Sequence, residues 1–126
     1  MHKFDLKNKT AIITGGAQGF GLDIAKRFLD SEAKAIIWDI DENELIKASK
    51  KINNPNLSYY VVDVSNFKNV EDTVGEISKT SSIDILINNA GITGSTSPLW
   101  DYNVDEWNKI VQINLMGTFN CCKCVV

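Results

Sequence analysis

Between the apolar run Ala11-Ile12-Ile13 and a helical pattern beginning at Gly21, the chain carries Thr14-Gly15-Gly16-Ala17-Gln18-Gly19-Phe20-Gly21. A strand, a glycine turn and a helix start are thus written without a spacer. A tight turn ahead of a helix leaves several backbone N–H groups unpaired and points the positive end of the helix dipole at the same place. The stretch therefore predicts an anion cradle, and the paired phosphates of a dinucleotide suit it.

The rest of the chain repeats the strand and helix alternation. Gly21, Ile24, Ala25 and Phe28 recur at helical spacing, and Ala35-Ile36-Ile37-Trp38 forms a short apolar run ending at Asp39. Asp41 followed by Glu44 has the form of a capping box for a second helix with Leu45, Ala48 and Ile52 facing inward, ended by Asn53-Asn54 before Pro55. Tyr59 to Val62 reads as a third strand closed by Asp63. Ser65 is then placed to cap a third helix with Val70, Val74 and Ile77 on one face. Ile83 to Ile87 supplies a fourth strand, and Ile92 to Asn103 a polar connector. A last helix starts near Val104 with Asp105 and Glu106 in its first turn. Such alternation predicts an α/β fold, a parallel sheet covered on both faces. In open sheets of this kind ligands sit at the carboxyl ends of the strands.

At 126 residues the chain is one domain at most and short for a complete two-sided α/β enzyme. A net charge of −3 with no basic cluster argues against nucleic-acid binding. Met1-His2-Lys3-Phe4-Asp5-Leu6 carries charges where a signal peptide is apolar, and no apolar run approaches membrane-spanning length, so a cytoplasmic protein is expected. All three cysteines, Cys121, Cys122 and Cys124, fall in one stretch far from the single histidine, His2. This spacing predicts no disulfide framework and no metal site, and leaves the cysteines as small apolar fillers of a core helix.

A generic G-x-G-x-x-G would need glycine at Ala17, or at Ile24 if read from Gly19. The observed T-G-x-x-x-G-x-G, with Asn88-Asn89-Ala90-Gly91 after the fourth strand, instead resembles the short-chain dehydrogenase/reductase family. The resemblance is to its short, single-domain members, since the extended ones would want glycine at Gln18. It implies a Rossmann-type doubly wound sheet, here truncated to four strands in the order 3-2-1-4. Residues 1–126 would be the amino-terminal, dinucleotide-binding part of one such domain. It further implies that Gly15, Gly19 and Gly21 admit the pyrophosphate, that Gln18 and Phe20 lie against the cofactor, that Asp63 and Val64 contact the adenine ring, and that Asn89, Ala90 and Gly91 run beneath the adenosine.

Asp39 stands 18 residues beyond Gly21, where a Rossmann unit places the acid that hydrogen-bonds the adenine ribose, with Ile40 beside it. Its carboxylate would repel a 2′-phosphate, and no basic residue occupies Ala17, Gln18, Ile40 or Asp41. The expected cofactor is NAD rather than NADP. Trp107, Ile110, Val111 and Asn114 are spaced along one helix face, which places an amide on a stripe expected to be buried. Ile113-Asn114-Leu115-Met116-Gly117 resembles the family's catalytic-asparagine segment.

The family's proton donor is a tyrosine followed four residues later by lysine, with a serine on the preceding strand. Here Tyr59, Tyr60 and Tyr102 are followed at that distance by Asp63, Val64 and Glu106. The resemblance thus implies an oxidoreductase of the alcohol/ketone class, similar to 3-oxoacyl-carrier-protein reductases and to sugar and polyol dehydrogenases, whose catalytic half is absent. These 126 residues alone are expected to be inactive and poorly soluble or partly unfolded, and the parent enzyme to be a homo-oligomer. The alternative is a non-catalytic module or partner that holds NAD without turning it over.

Overall fold

A computed structural model describes residues 4–126. Met1-His2-Lys3, including the histidine weighed above as a metal ligand, lies outside the described residues. Four parallel strands, β1 (Thr10–Thr14), β2 (Lys34–Asp39), β3 (Leu57–Val61) and β4 (Ile85–Ile87), form one sheet in the order β3-β2-β1-β4. The helices α1 (Gly19–Asp30), α2 (Glu42–Ile52) and α3 (Phe67–Ser78) make the crossovers, and α4 (Val104–Val111) and α5 (Gly117–Val125) follow β4.

Strand periodicity divides the core into two layers. Ala11 and Ile13 of β1, with Ala35 and Ile37 of β2, face Ala25 and Leu29 of α1 and Leu45 and Ala48 of α2. Ile12, Ile36 and Trp38 face the other way, onto Val70, Val74 and Ile77 of α3 and Cys121 of α5. Register is in step across the sheet: Ile12 pairs with Ile36 on one side and Leu86 on the other, and Trp38 with Tyr60. Each residue of β1 is buried, whereas β4 is half-buried throughout and β3 has exposed positions. β1 and β2 are thus each paired along both edges, and β1 is buried at every position.

Local chemistry accounts for the helix ends. Asp41 accepts from the Glu44 amide at 3.2 Å to start α2, and Asn53, left-handed at φ 47°, ends it. Asn103 starts α4 in the same way through the Glu106 amide at 2.9 Å. The expected Ser65 cap is replaced by Asn66, which accepts from Asn69 N at 3.0 Å. Ser65 is diverted because its hydroxyl donates to the Asp63 carboxylate at 2.6 Å.

The last helix departs most from expectation. A π-helical turn, Gln112–Met116, separates α4 from α5. The added residue rotates the inward face. In place of a buried stripe, Trp107 is 50% exposed, Ile110 and Val111 are half-buried and Asn114 is exposed. The inward stripe resumes as Gly117, Asn120 and Cys121, with Cys124 half-buried one turn on. Of the three cysteines only Cys121 is buried, while Cys122 is exposed and its sulfur accepts from the Asn88 side chain at 3.4 Å.

Two outcomes follow from this core. Leu45→Ala should lower the unfolding free energy in urea by about 2–5 kcal/mol, and Ile40→Ala, at an exposed position, should change it by less than about 0.5 kcal/mol; similar effects of the two would contradict the layer assignment. Burial, with the neighbouring Cys122 and Cys124 adding to it, pushes the Cys121 thiol up to about 12. The unfolded thiol ionises near 9, so stability from this group is intact below that pH and is lost as pH rises toward the folded value. At pH 8 a thiol reagent should therefore modify Cys122 in the folded protein and reach Cys121 only on unfolding; equal labelling of both would refute the burial.

Candidate functional site

The glycine turn is fastened to the sheet by side chains on either side of it. The Thr14 hydroxyl accepts from the backbone amides of Asn89 and Ala90, both at 3.0 Å, and so joins the carboxyl ends of β1 and β4. The Asn89 side chain returns the connection, donating to the Gly15 carbonyl at 3.1 Å. On the other flank the Gly16 amide donates to the Trp38 carbonyl at 3.0 Å and the Ala17 amide to Asp39 Oδ2 at 3.3 Å.

The three expected glycines are required for different reasons. Gly15, at φ +62°, is left-handed, and a Cβ there would press on Ala90 and on the Asn89 amide at 3.0 Å. Gly19, at φ +60°, is also left-handed but faces open space. Gly21 is a packing glycine: a Cβ would collide with the Gly15 carbonyl and the Asn89 side chain, so it lets α1 begin against the turn itself. Gly16, not singled out from the sequence, is a fourth, since a Cβ there would sit 2.7 Å from Ile37. The first turn of α1 has no side-chain cap, unlike those of α2, α3 and α4. Its leading amides thus receive no oxygen from a capping side chain.

A cavity of about 370 Å³ opens at the carboxyl ends of the strands beside this turn. Gly15, Gln18, Asp39, Ile40, Asp63, Val64, Asn89, Ala90 and Gly91 line it, so residues separated by up to 76 positions in sequence converge. Gly19, Phe20, Gly21 and Asn114 are outside the lining, and Phe20 is 83% exposed. Trp38, Val62, Ile92 and Ile113 line the cavity without having been singled out for it. The first two were legible as a strand terminus, but which side chains face a cleft depends on strand register.

Asp39 sits half-buried at the cavity wall, Oδ2 accepting from Ala17 N and Oδ1 from Asp41 N at 3.1 Å. Both amides fix the carboxylate while each oxygen keeps acceptor capacity. None of the residues lining the cavity carries a positive charge. Asp63 is held by an Asx turn, with Oδ1 accepting from Ser65 N at 3.0 Å and from the Ser65 hydroxyl. Its own amide donates to Asn69 at 2.8 Å. Val64 is set from the helix layer: Asn120, 4% exposed, donates to the Val64 carbonyl at 2.9 Å, and Gly117 lets α5 approach the Val64 side chain. Asn120 is the buried amide that the sequence pattern had located at Asn114.

Asn114 has a different part. Its Oδ1 accepts from Ile92 N at 2.9 Å and its Nδ2 donates to Ile92 O at 2.8 Å, a two-point clamp that holds the chain leaving β4 against the π turn. Farther along this connector, the Ser95 amide and hydroxyl donate to Glu106 at 2.6 and 2.8 Å, which holds the Glu106 carboxyl below the usual carboxylate range. Among the described residues, no three His, Cys, Asp or Glu side chains gather into a metal site. One polar atom stands apart. The Trp38 indole Nε1 is buried without a partner among the described residues, a condition that costs about 1–3 kcal/mol when nothing satisfies it.

With this geometry in hand, comparison with known proteins is specific. A family profile described as short chain dehydrogenase matches residues 9–126. A 2-dehydro-3-deoxy-L-rhamnonate dehydrogenase (NAD(+)) from a Sphingomonas species is 34% identical over 94% of this chain and 47% of its own length. A 3-oxoacyl-(acyl-carrier-protein) reductase from Chlamydia muridarum is 35% identical over 96% of this chain and 50% of its own. The crystal structure of a short chain dehydrogenase from Bacillus anthracis superposes with a TM-score of 0.89 at 33% identity, covering 95% of this chain and 51% of that one. The chain thus spans about half the length of the relatives it matches. On its glycine turn, its strand order and this match across residues 9–126, the chain belongs to the short-chain dehydrogenase family.

Proposed function

We propose that residues 1–126 form the dinucleotide-binding part of an NAD-dependent oxidoreductase acting on an alcohol/ketone pair, a cytoplasmic enzyme that works as a homo-oligomer. The family uses nicotinamide cofactors of either kind. The single observation that carries the choice of NAD is Asp39, anchored by two backbone amides in a cavity whose lining holds no cation. A 2′-phosphate there would meet a fixed carboxylate and nothing to neutralise it.

The residues fit the cofactor. The uncapped first turn of α1 and the open space at Gly19 accommodate the phosphates, Asp39 accepts from the ribose hydroxyls, and Asp63 and Val64 receive the adenine. When bound, the cofactor supplies a hydride acceptor or donor at its nicotinamide ring. Asn114 orders the chain after β4 through Ile92, so in this reading it positions backbone beside the reacting region rather than exchanging a proton itself. None of the three tyrosines has a lysine four residues on, so the acid that meets alkoxide charge in this family is outside these residues. The exposed Trp107, Leu115 and Phe119 on α4, the π turn and α5 support assembly with another subunit.

Calorimetric titration should give tighter binding of NAD than of NADP, and Asp39→Ala should weaken NAD by about tenfold, the scale of a charge-assisted hydrogen bond. Unchanged NAD affinity in the variant, or preferred binding of NADP by the native chain, would overturn the cofactor choice. The 126-residue polypeptide should show no NADH oxidation with ketone substrates, and measurable turnover would contradict the placement of the proton donor.

A further inference from the structure

We propose that Glu106 is a positioning residue for the nucleoside beyond the pyrophosphate: its carboxylate latches Ser95 and so holds residues 92–95 as a preformed wall beside that half of the ligand. The inference rests on the reading of the cavity as a dinucleotide site. In the sheet order β3-β2-β1-β4 the glycine turn after β1 stands between two sets of strand ends. Asp39 and Asp63, at the ends of β2 and β3, take the adenosine on one side. A dinucleotide carries a second nucleoside on the other side of its phosphates. There the cavity is lined by Gly91 and Ile92, on the chain leaving β4.

That chain is tied down at successive points. Asn114 clamps Ile92 at both its N–H and its C=O. Two residues on, a Cβ at Gly94 would collide with the Tyr102 hydroxyl and the Ile110 side chain, so the backbone there lies directly against the entry to α4. Next, the Ser95 amide donates to Glu106 Oε1 at 2.6 Å, and the Ser95 hydroxyl lies 2.8 Å from Oε1 and 3.0 Å from Oε2. In a capping box the third helical residue turns its carboxylate back on the residue that starts the helix. Glu106 holds that place in α4, and its amide donates to the Asn103 side chain, yet its carboxylate reaches eleven positions back to Ser95 instead. The bonds from Ser95 hold the Glu106 carboxyl below its usual range, so the latch is made by the ionised, acceptor-only form at neutral pH. A wall fixed before the ligand arrives has less freedom to lose on binding.

The test compares NAD with ADP, which has the adenosine and both phosphates but no second nucleoside, by titrating the 15N-labelled chain and its Glu106→Ala and Glu106→Gln variants. The cap of α4 uses the Glu106 backbone amide, so both variants keep the helix start. In the native chain NAD should shift the amides of Ile92 and Thr93, and ADP should leave them in place. Glu106→Ala should weaken NAD about three- to tenfold, the scale of one net hydrogen bond, and change ADP affinity less than about twofold. Glu106→Gln, whose amide oxygen still accepts from Ser95, should recover most of the loss. Equal weakening of NAD and ADP would make Glu106 merely structural, and unchanged NAD affinity in Glu106→Ala would make the latch idle; either overturns the positioning role while the nucleotide site stands. If neither ligand perturbs any residue of the cavity, the dinucleotide reading fails and this inference with it.

Discussion

The hydroxyl of Thr14 holds this structure together at the point where it becomes useful. By accepting from two successive amides, Asn89 N and Ala90 N, it locks the end of the enclosed strand β1 to the end of the outer strand β4. A buried hydroxyl has two lone pairs and one proton to place, and here the proton goes to the Ile87 carbonyl at 3.4 Å. Asn89 then reaches back to the Gly15 carbonyl, and the same carbonyl is what Gly21 must avoid to seat α1. Turn, helix start and the segment after β4 are therefore one cooperative unit. Weakening Thr14 would loosen all three walls of the cavity together.

That unit explains why α1 begins differently from its neighbours. Asp41, Asn66 and Asn103 each supply an oxygen to the first turn of their helix, but Gln18 supplies none to α1. The helix is nevertheless secure, because Gly21, Ala25 and Leu29 bury its inner face against β1 and β2. Stability thus comes from packing on one side, leaving the amide end open on the other. Asp39 contributes to both: its carboxylate orders the turn through Ala17 and remains available at the cavity wall.

Much of this was legible in the residues. The sheet core was visible because buried parallel strands read as unbroken apolar runs, as Ala11 to Ile13 and Ala35 to Trp38 do. The edge strands were harder. β3 begins at Leu57 rather than Tyr59, because its exposed Ser58 and Tyr59 break the apolar signal. Motif spacing brought nine of the expected residues to one cavity, since each sits at or shortly past the carboxyl end of a strand. What failed was the reading of the last helix as one continuous period: Trp107 on α4 is half exposed, the π turn interrupts the repeat at Asn114, and the buried amide is Asn120. Periodicity assumes 3.6 residues per turn and has no marker for an inserted one. Nor could the unpaired indole of Trp38 be anticipated, because satisfaction of a donor is a property of neighbours, not of spacing.

The central claim is that backbone amides at the start of α1 receive the paired phosphates of a dinucleotide. Backbone amide resonances followed during titration with NAD test it directly. The account predicts saturable shifts greatest at Gln18, Gly19, Phe20 and Gly21, accompanied by smaller ones at Val64 and Ala90. Saturation that left residues 18–21 unmoved, or shifts centred on another surface of the molecule, would contradict it.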